Sequence, residues 1–171
     1  MHIRKANLSD TSQLAEIHVK AWQTAYAGIM PSDYLSALNV ETRSREWDGW
    51  INEPGPGTTI VLETDDGIKG FCVFGPTRDN CVNDCNIGEI LALNVHPVFW
   101  RCGYGKFLCN SVLSELNERK WSSLTLWALK SNERAKLFYM SLGFKLDGVE
   151  RLEPITEERS VEEVRYFINA N

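Results

Sequence analysis

Glu89-Ile-Leu-Ala-Leu-Asn-Val-His-Pro-Val-Phe-Trp-Arg-Cys-Gly-Tyr-Gly-Lys-Phe107 is the stretch that decides the fold of this chain. Ile90 to Val95 reads as a buried strand, stopped by Pro97. Two glycines, Gly103 and Gly105, then carry a short loop into the first turn of a helix. That helix continues with Phe107, Leu108, Val112, Leu113 and Leu116, apolar residues at helical spacing. A strand that turns through glycines into a helix leaves several backbone N–H groups pointing one way, at the positive end of the helix dipole. Such a turn binds phosphate oxygens without a charged side chain. A Cβ at Gly103 or Gly105 is expected to obstruct close approach of a diphosphate, and Lys106 adds a cation at the rim.

Other phosphate loops fit less well. No Gly-x-x-x-x-Gly-Lys-Ser/Thr occurs in the chain, which excludes a Walker loop. Gly103-x-Gly105 is part of a dinucleotide fingerprint, but Leu108 stands where its third glycine belongs. The next strand-like run, Leu124 to Leu129, ends in Lys130 rather than in an acidic residue that could hold a ribose.

A second block lies about thirty residues downstream: Asn132-Glu-Arg-Ala-Lys-Leu-Phe-Tyr-Met-Ser-Leu-Gly-Phe144. Val95-His96-Pro97, then Gly103-Tyr104-Gly105 and a helix, resembles the acetyl-CoA site of the Gcn5-related N-acetyltransferases (GNAT). In the second block the family pattern is Asn, Ala three later, Tyr seven later, then Gly-Phe. Asn132, Ala135, Tyr139, Gly143 and Phe144 match it. One departure is Trp100, three residues before Gly103, where the family carries Gln or Arg; here Arg101 stands beside it. That leaves the diphosphate contacts of residues 100 to 102 open.

The resemblance implies an α/β chain with a mixed, mostly antiparallel sheet of six to seven strands and helices on both faces. The sheet would split into a V between its fourth and fifth strands, with acetyl-CoA lying in the split. It implies cofactor contacts from Leu93, Val95, Arg101, Cys102, Gly103, Tyr104, Gly105, Lys106 and Asn132. For Asn132, capping the following helix explains the residue equally well. Backbone N–H of Leu93 or Val95 would meet the oxyanion of a tetrahedral intermediate. Tyr139 is the implied acid for the leaving thiolate; the other reading is a core tyrosine. Glu89 is the candidate base, directly or through water, because a carboxylate heading an apolar strand is costly unless it faces a wet cavity. It could also be a strand-end glutamate in solvent. His96 is a further candidate base, though its place beside Pro97 favours packing or hydrogen bonding near the cofactor.

The composition suits one soluble domain over residues 1–171. The chain is 43% hydrophobic and 24% charged, large enough to bury a core without disulfides. A net charge of −5 argues against the basic face that nucleic acids require. No apolar run reaches the roughly 18 residues of a membrane span, and Met-His-Ile-Arg-Lys has no signal-peptide core, so a cytoplasmic chain is expected. The five cysteines are expected as free thiols. Cys81 and Cys85 invite a zinc reading, but no second pair stands at ligand spacing, and no metal is expected. Cys102 at a helix start could be a nucleophile, but no partnered His and Asn can be identified for it. Glu150, Glu153, Glu157, Glu158, Glu162 and Glu163 crowd the last quarter, either as a solvated edge or as a field that draws a cationic amine.

Along the rest of the chain, residues 2–6 form a short strand. Asp10 with Gln13 is a capping box for a helix whose apolar face is Leu14, Ile17, Ala21 and Ala25, fading near Gly28. A short helix after Pro31 and another over 42–51 follow. Then come a hairpin (58–63 with 69–74), a polar loop over 76–86, a helix over 132–142 and two closing strands over 144–149 and 161–168. Trp22, Tyr26 and Ile29 resemble the segment that lines the acceptor pocket in GNAT enzymes; Trp22, Tyr26 and Tyr34 could equally be helix-packing residues. The resemblance points to a small-molecule amine as acceptor, with a protein acceptor or a non-catalytic acyl-CoA-binding module as alternatives. Dimers are common in the family, so a homodimer is an open expectation.

Overall fold

The computed structural model describes residues 1–79 and 86–170. Seven strands form one sheet: β1 (His2–Lys5), β2 (Thr58–Thr64), β3 (Gly67–Pro76), β4 (Ile87–Val95), β5 (Ser123–Leu129), β6 (Lys145–Pro154) and β7 (Ser160–Asn169). Their order is β1-β2-β3-β4-β5-β7-β6. Every neighbouring pair is antiparallel except β4–β5, which is parallel and so needs a helical crossover. Five helices complete the fold: α1 (Thr11–Ala25), α2 (Ser32–Ala37), α3 (Val40–Asn52), α4 (Tyr104–Ser114) and α5 (Glu133–Ser141).

The two faces of the sheet are covered unequally. On one, α4 packs Leu108, Cys109 and Val112 against Ile60, Cys72, Phe74, Ile90, Leu124 and Leu126. On the other, Leu14, Ala15 and Ile17 of α1 and Trp47 of α3 cover Val61, Ile68 and Phe71. That second cluster reaches only the β2–β4 end, so β5, β7 and β6 keep an open surface on the α1 face.

The helix starts differ from the sequence expectation. Asn7 is the N-cap of a 3-10 turn over Leu8–Asp10, and Asp10 is the third residue of that capping box, its carboxylate accepting the Asn7 N–H at 2.8 Å. The same buried carboxylate also holds Arg4, with contacts of 2.7 and 2.9 Å, and Gln13 accepts the Ile68 N–H at 3.1 Å. A buried carboxylate is stabilised when both of its oxygens find donors, the guanidinium most of all. On α4, Phe107 belongs to the apolar spacing but is 42% exposed, since the helix turns its Leu108/Cys109/Val112 side inward. Strand β4 begins at Ile87, three residues earlier than expected, because residues 87–90 pair with β5.

Candidate active site

The parallel pairing of β4 with β5 lasts four residues, Ile87↔Ser123 to Ile90↔Leu126, and then stops. Beyond it the strands part. At the same point Leu91 is an extra residue in β4, because Val73 pairs with Ala92 while Phe74 pairs with Ile90. A bulge bends its strand. The expected V between the fourth and fifth strands is therefore present, and side chains from Leu91 to Asn94 lose full burial there.

Strand alternation decides which amides face the gap. His96 N–H donates to the Lys69 carbonyl at 2.9 Å, toward β3. Successive amides of an antiparallel strand alternate sides, so those of Leu93 and Val95 turn away from β3, into the space β5 has vacated.

The chain then passes through a 3-10 turn, Pro97–Phe99, into the glycine loop. Arg101 and Gly103 both adopt positive φ, 67° and 82°. Gly103 is the N-cap of α4 and offers no side-chain cap. Among the described residues, the amides of residues 101–106 find no acceptor in the protein. They form an uncapped helix start beside the split. The two glycines differ in what their surroundings require. A Cβ on Gly103 would meet open space, so this position answers to its left-handed backbone. A Cβ on Gly105 would lie 3.3 Å from the Phe138 ring and 3.7 Å from Leu93, so Gly105 serves close packing of α4 on α5 and β4. Tyr104 is half-buried against Phe99, while Arg101, Cys102 and Lys106 are exposed.

Asn132 caps α5 by accepting the Ala135 N–H at 3.1 Å. That helix ends before Gly143, whose φ is 93°. One face of α5 sets Tyr139 against Phe138, Phe144 and Tyr166, with ring centroids 5.0 to 6.1 Å away. Burial, and after it the neighbouring thiols of Cys109 and Cys72, push the Tyr139 phenol well above its ordinary value. It keeps its proton at neutral pH.

Glu89 does not head its strand and does not face a wet cavity. It is the third residue of β4, with a side chain only 1% exposed, clasped by Arg78. Oε1 accepts from Nε and Nη2 of Arg78 at 3.2 and 2.6 Å, and Oε2 accepts from the Arg78 backbone N–H at 2.8 Å. Glu89 pairs with Thr125, Thr125 with Phe167, and Trp127 with Arg165, all on the α1 face. There Arg165 bridges Asp79 and Asp147, and Arg151 holds Glu163 and Glu153. Both guanidiniums lie over the Trp127 ring, at 4.2 and 5.7 Å. Glu150 and Glu162 share Lys130, so most of the acidic crowd near the C-terminus is ion-paired.

Trp22, Tyr26 and Ile29 come together at the end of α1, half-buried on Met30, Leu35 and Leu129. The Tyr26 phenol is pushed up to about 12 by burial and by the Glu163 charge. Ile29, Leu129, Lys130, Val161 and Glu162 line a cavity of about 320 Å³ at this end of the sheet. Arg159, from the turn between β6 and β7, grips Asp33 of α2 at 2.9 and 3.0 Å and ties that turn to α2. Sequence reading missed Arg78, Arg159 and Arg134, whose partners are set by the fold. Cys81 and Cys85 lie outside the described residues. No described helix is long and apolar enough to cross a membrane.

An uncapped helix start beside a strand split is an arrangement that can hold a diphosphate. The chain belongs to the acetyltransferase (GNAT) family, whose family model matches residues 15–144. It is 29% identical over 139 residues to an uncharacterized N-acetyltransferase, YuaI, of Bacillus subtilis, spanning 81% of this chain and 77% of that protein. Among solved structures it resembles the PaiA N-acetyltransferase of Thermoplasma acidophilum in complex with coenzyme A. The TM-score is 0.72 at 20% identity, covering 95% and 96% of the two chains. It is equally close to the ribosomal-protein-alanine N-acetyltransferase of Brucella melitensis, with a TM-score of 0.72 at 18% identity and 99% of each chain covered.

Proposed function

We propose that this chain moves the acetyl group of acetyl-CoA by direct attack to the primary amine of a small molecule. The observation that carries the reading is the run of open amides at residues 101–106, set where β4 and β5 part. The diphosphate rests on those amides, and the pantetheine arm follows β4 into the split, bringing the thioester carbonyl to the amides of Leu93 and Val95. Asn132, fixed by its capping bond, flanks the arm.

The amine enters from the α1 face, past Trp22, Tyr26 and Ile29. Acidic groups outnumber basic ones there: Asp79, Glu89, Asp147, Glu153 and Glu163 surround Arg78, Arg151 and Arg165. Such a field favours approach of a cation. An amine with a pKa of roughly 10 must then lose a proton before it attacks. Both Glu89 oxygens already accept from Arg78 and the side chain is buried, so Glu89 does not touch the amine; the proton reaches it through a water admitted with the ligands at the neighbouring strand split. Nitrogen attacks the carbonyl carbon, and the tetrahedral oxyanion collapses with cleavage of the C–S bond. Tyr139 gives its proton to the departing thiolate, and the proton that the attacking nitrogen sheds as it becomes an amide returns to the phenolate, leaving a CoA thiol and a neutral Tyr139.

Tyr139→Phe tests this. It should cut turnover by roughly a hundredfold and leave CoA affinity unchanged, because it removes only the proton donor. Unchanged turnover would remove Tyr139 from the chemistry. Absence of turnover in the parent with polyamines, amino acids, amino sugars and peptides alike would mark an acyl-CoA-binding module. Preference for peptides over the small amines would move the acceptor class to proteins, the class in the name of the Brucella enzyme.

A further inference from the structure

Resting on that reading of the loop, we propose that Arg134 of α5, held flat on the indole of Trp100, binds a phosphate group of CoA. It thereby supplies from a second helix what the loop's own first side chain does not.

Trp100 stands at the opening of the loop with an apolar ring, where a cofactor diphosphate would be met by a polar side chain. Its orientation is fixed: Nε1 donates to the Val95 carbonyl at 2.7 Å, at the end of β4. The Arg134 guanidinium lies 3.8 Å from the centre of that ring. Stacking of this kind holds a long, otherwise mobile side chain in one direction.

Three features of this cluster are unfavourable without an anion. Arg134 is the second residue of α5, so its charge sits at the positive end of a helix dipole. Arg134 is exposed overall, but partial desolvation of its guanidinium, and after it the positive charge of Arg101, lower its affinity for its proton. Among the described residues, Arg101, Lys106 and Arg134 have no carboxylate in ion-pair range, whereas Arg4, Arg43, Arg45, Arg78, Arg119, Arg151, Arg159 and Arg165 all do. The two arginines without a carboxylate, together with Lys106, belong to the loop and to the helix beside it, where the amides are also unpaired. A phosphate there takes bidentate hydrogen bonds from Arg134 and relieves its repulsion with Arg101. Trp100 is a positioning residue: it touches the guanidinium and not the ligand.

Calorimetric titration of the full chain with CoA and with dephospho-CoA tests the assignment. Arg134→Ala should weaken CoA by about tenfold or more, the effect of one charge-assisted hydrogen-bonded pair. Equal weakening of dephospho-CoA places Arg134 on the diphosphate; an unchanged dephospho-CoA affinity places it on the 3′-phosphate. Arg134→Lys should recover only part of the loss. Trp100→Leu should cost roughly threefold to tenfold by freeing the guanidinium, and Trp100→Phe, which keeps a ring, should cost less. Parent-like binding of both nucleotides by Arg134→Ala overturns the inference and leaves the loop assignment standing. Failure of the parent to bind CoA overturns both.

Discussion

On the α4 side of the split, the amides of residues 101–106 lack acceptors and the cations Arg101, Lys106 and Arg134 lack carboxylate partners among the described residues. On the α1 side, nearly every charge is paired: Arg78 with Glu89, Arg165 with Asp79 and Asp147, Arg151 with Glu163. The first surface is built to receive a polyanion of fixed chemistry, so its donors stay open and much of the work falls to backbone. The second is a wall whose charges are already neutralised side chain against side chain. It can shape a pocket and carry a net field, but no single group on it is free to grasp a ligand. Binding energy comes from one side and shape selection from the other.

The largest way to break that contrast is to unpair the wall. Arg78→Ala leaves the Glu89 carboxylate with one backbone donor in a site that admits almost no water. Removing one partner of a buried pair costs about 3–5 kcal/mol; Arg78 itself is half exposed, which puts the expected loss near the bottom of that range. A urea melt reads it directly. A loss below about 0.5 kcal/mol would mean that Glu89 is hydrated in solution and can act on the amine itself.

Next in size is an acid effect centred on His18 of the wall side. His18 sits 5.2 Å from Trp22 and 6.0 Å from Trp47, ring to ring, and its Nδ1 has no partner among the described residues. Burial, aided by the Arg43 charge, depresses its pKa to about 3. The unfolded chain takes that proton near pH 6.5, the folded chain only near 3, so protonation favours unfolding between them. Stability is complete above pH 6.5 and falls by roughly 1.4 kcal/mol per pH unit below it. His18→Leu should flatten urea midpoints measured between pH 7 and pH 5. An unchanged slope in that variant would assign the acid effect elsewhere. Guanidiniums and amides do not titrate in this window, so the receptive side keeps its donors.

The two sides were also unequally legible. Gly103, Asn132, Tyr139 and Gly143 could be placed because strand, loop and helix starts are set by residues close in sequence, and the amides they free belong to the backbone. Split and bulge were implied only by resemblance, since a bulge at Leu91 depends on the register of β3. Glu89 was misplaced for a related reason: its strand is extended backward by pairing with residues 123–126. Arg165 reaches Asp79 across 86 positions, and Arg159 reaches Asp33 across 126. No local pattern specifies such partners. Trp100 could be seen as a departure from the family, but its contact with Arg134, in another helix, could not.

The smallest expected effects separate the two loop glycines and sharpen the contrast between binding and alignment. Gly103→Ala puts a side chain into open space but onto a left-handed backbone, at a cost of about 1 kcal/mol or a shift of the loop. Either way the amides are re-aimed, so CoA affinity should fall severalfold while turnover at saturation holds. Gly105→Ala lies inside α4, where alanine gains up to about 1 kcal/mol in helix preference. Its Cβ, however, presses the Phe138 ring at 3.3 Å, and that ring must yield by a few tenths of an ångström. The two terms nearly cancel in stability, but Phe138 precedes Tyr139 on α5, and moving it moves the phenol. The expected result is a nearly unchanged melting temperature and CoA affinity with a severalfold drop in turnover. If Gly105→Ala instead weakened CoA as much as Gly103→Ala does, both glycines would serve the diphosphate, and alignment of Tyr139 would not depend on how α4 meets α5.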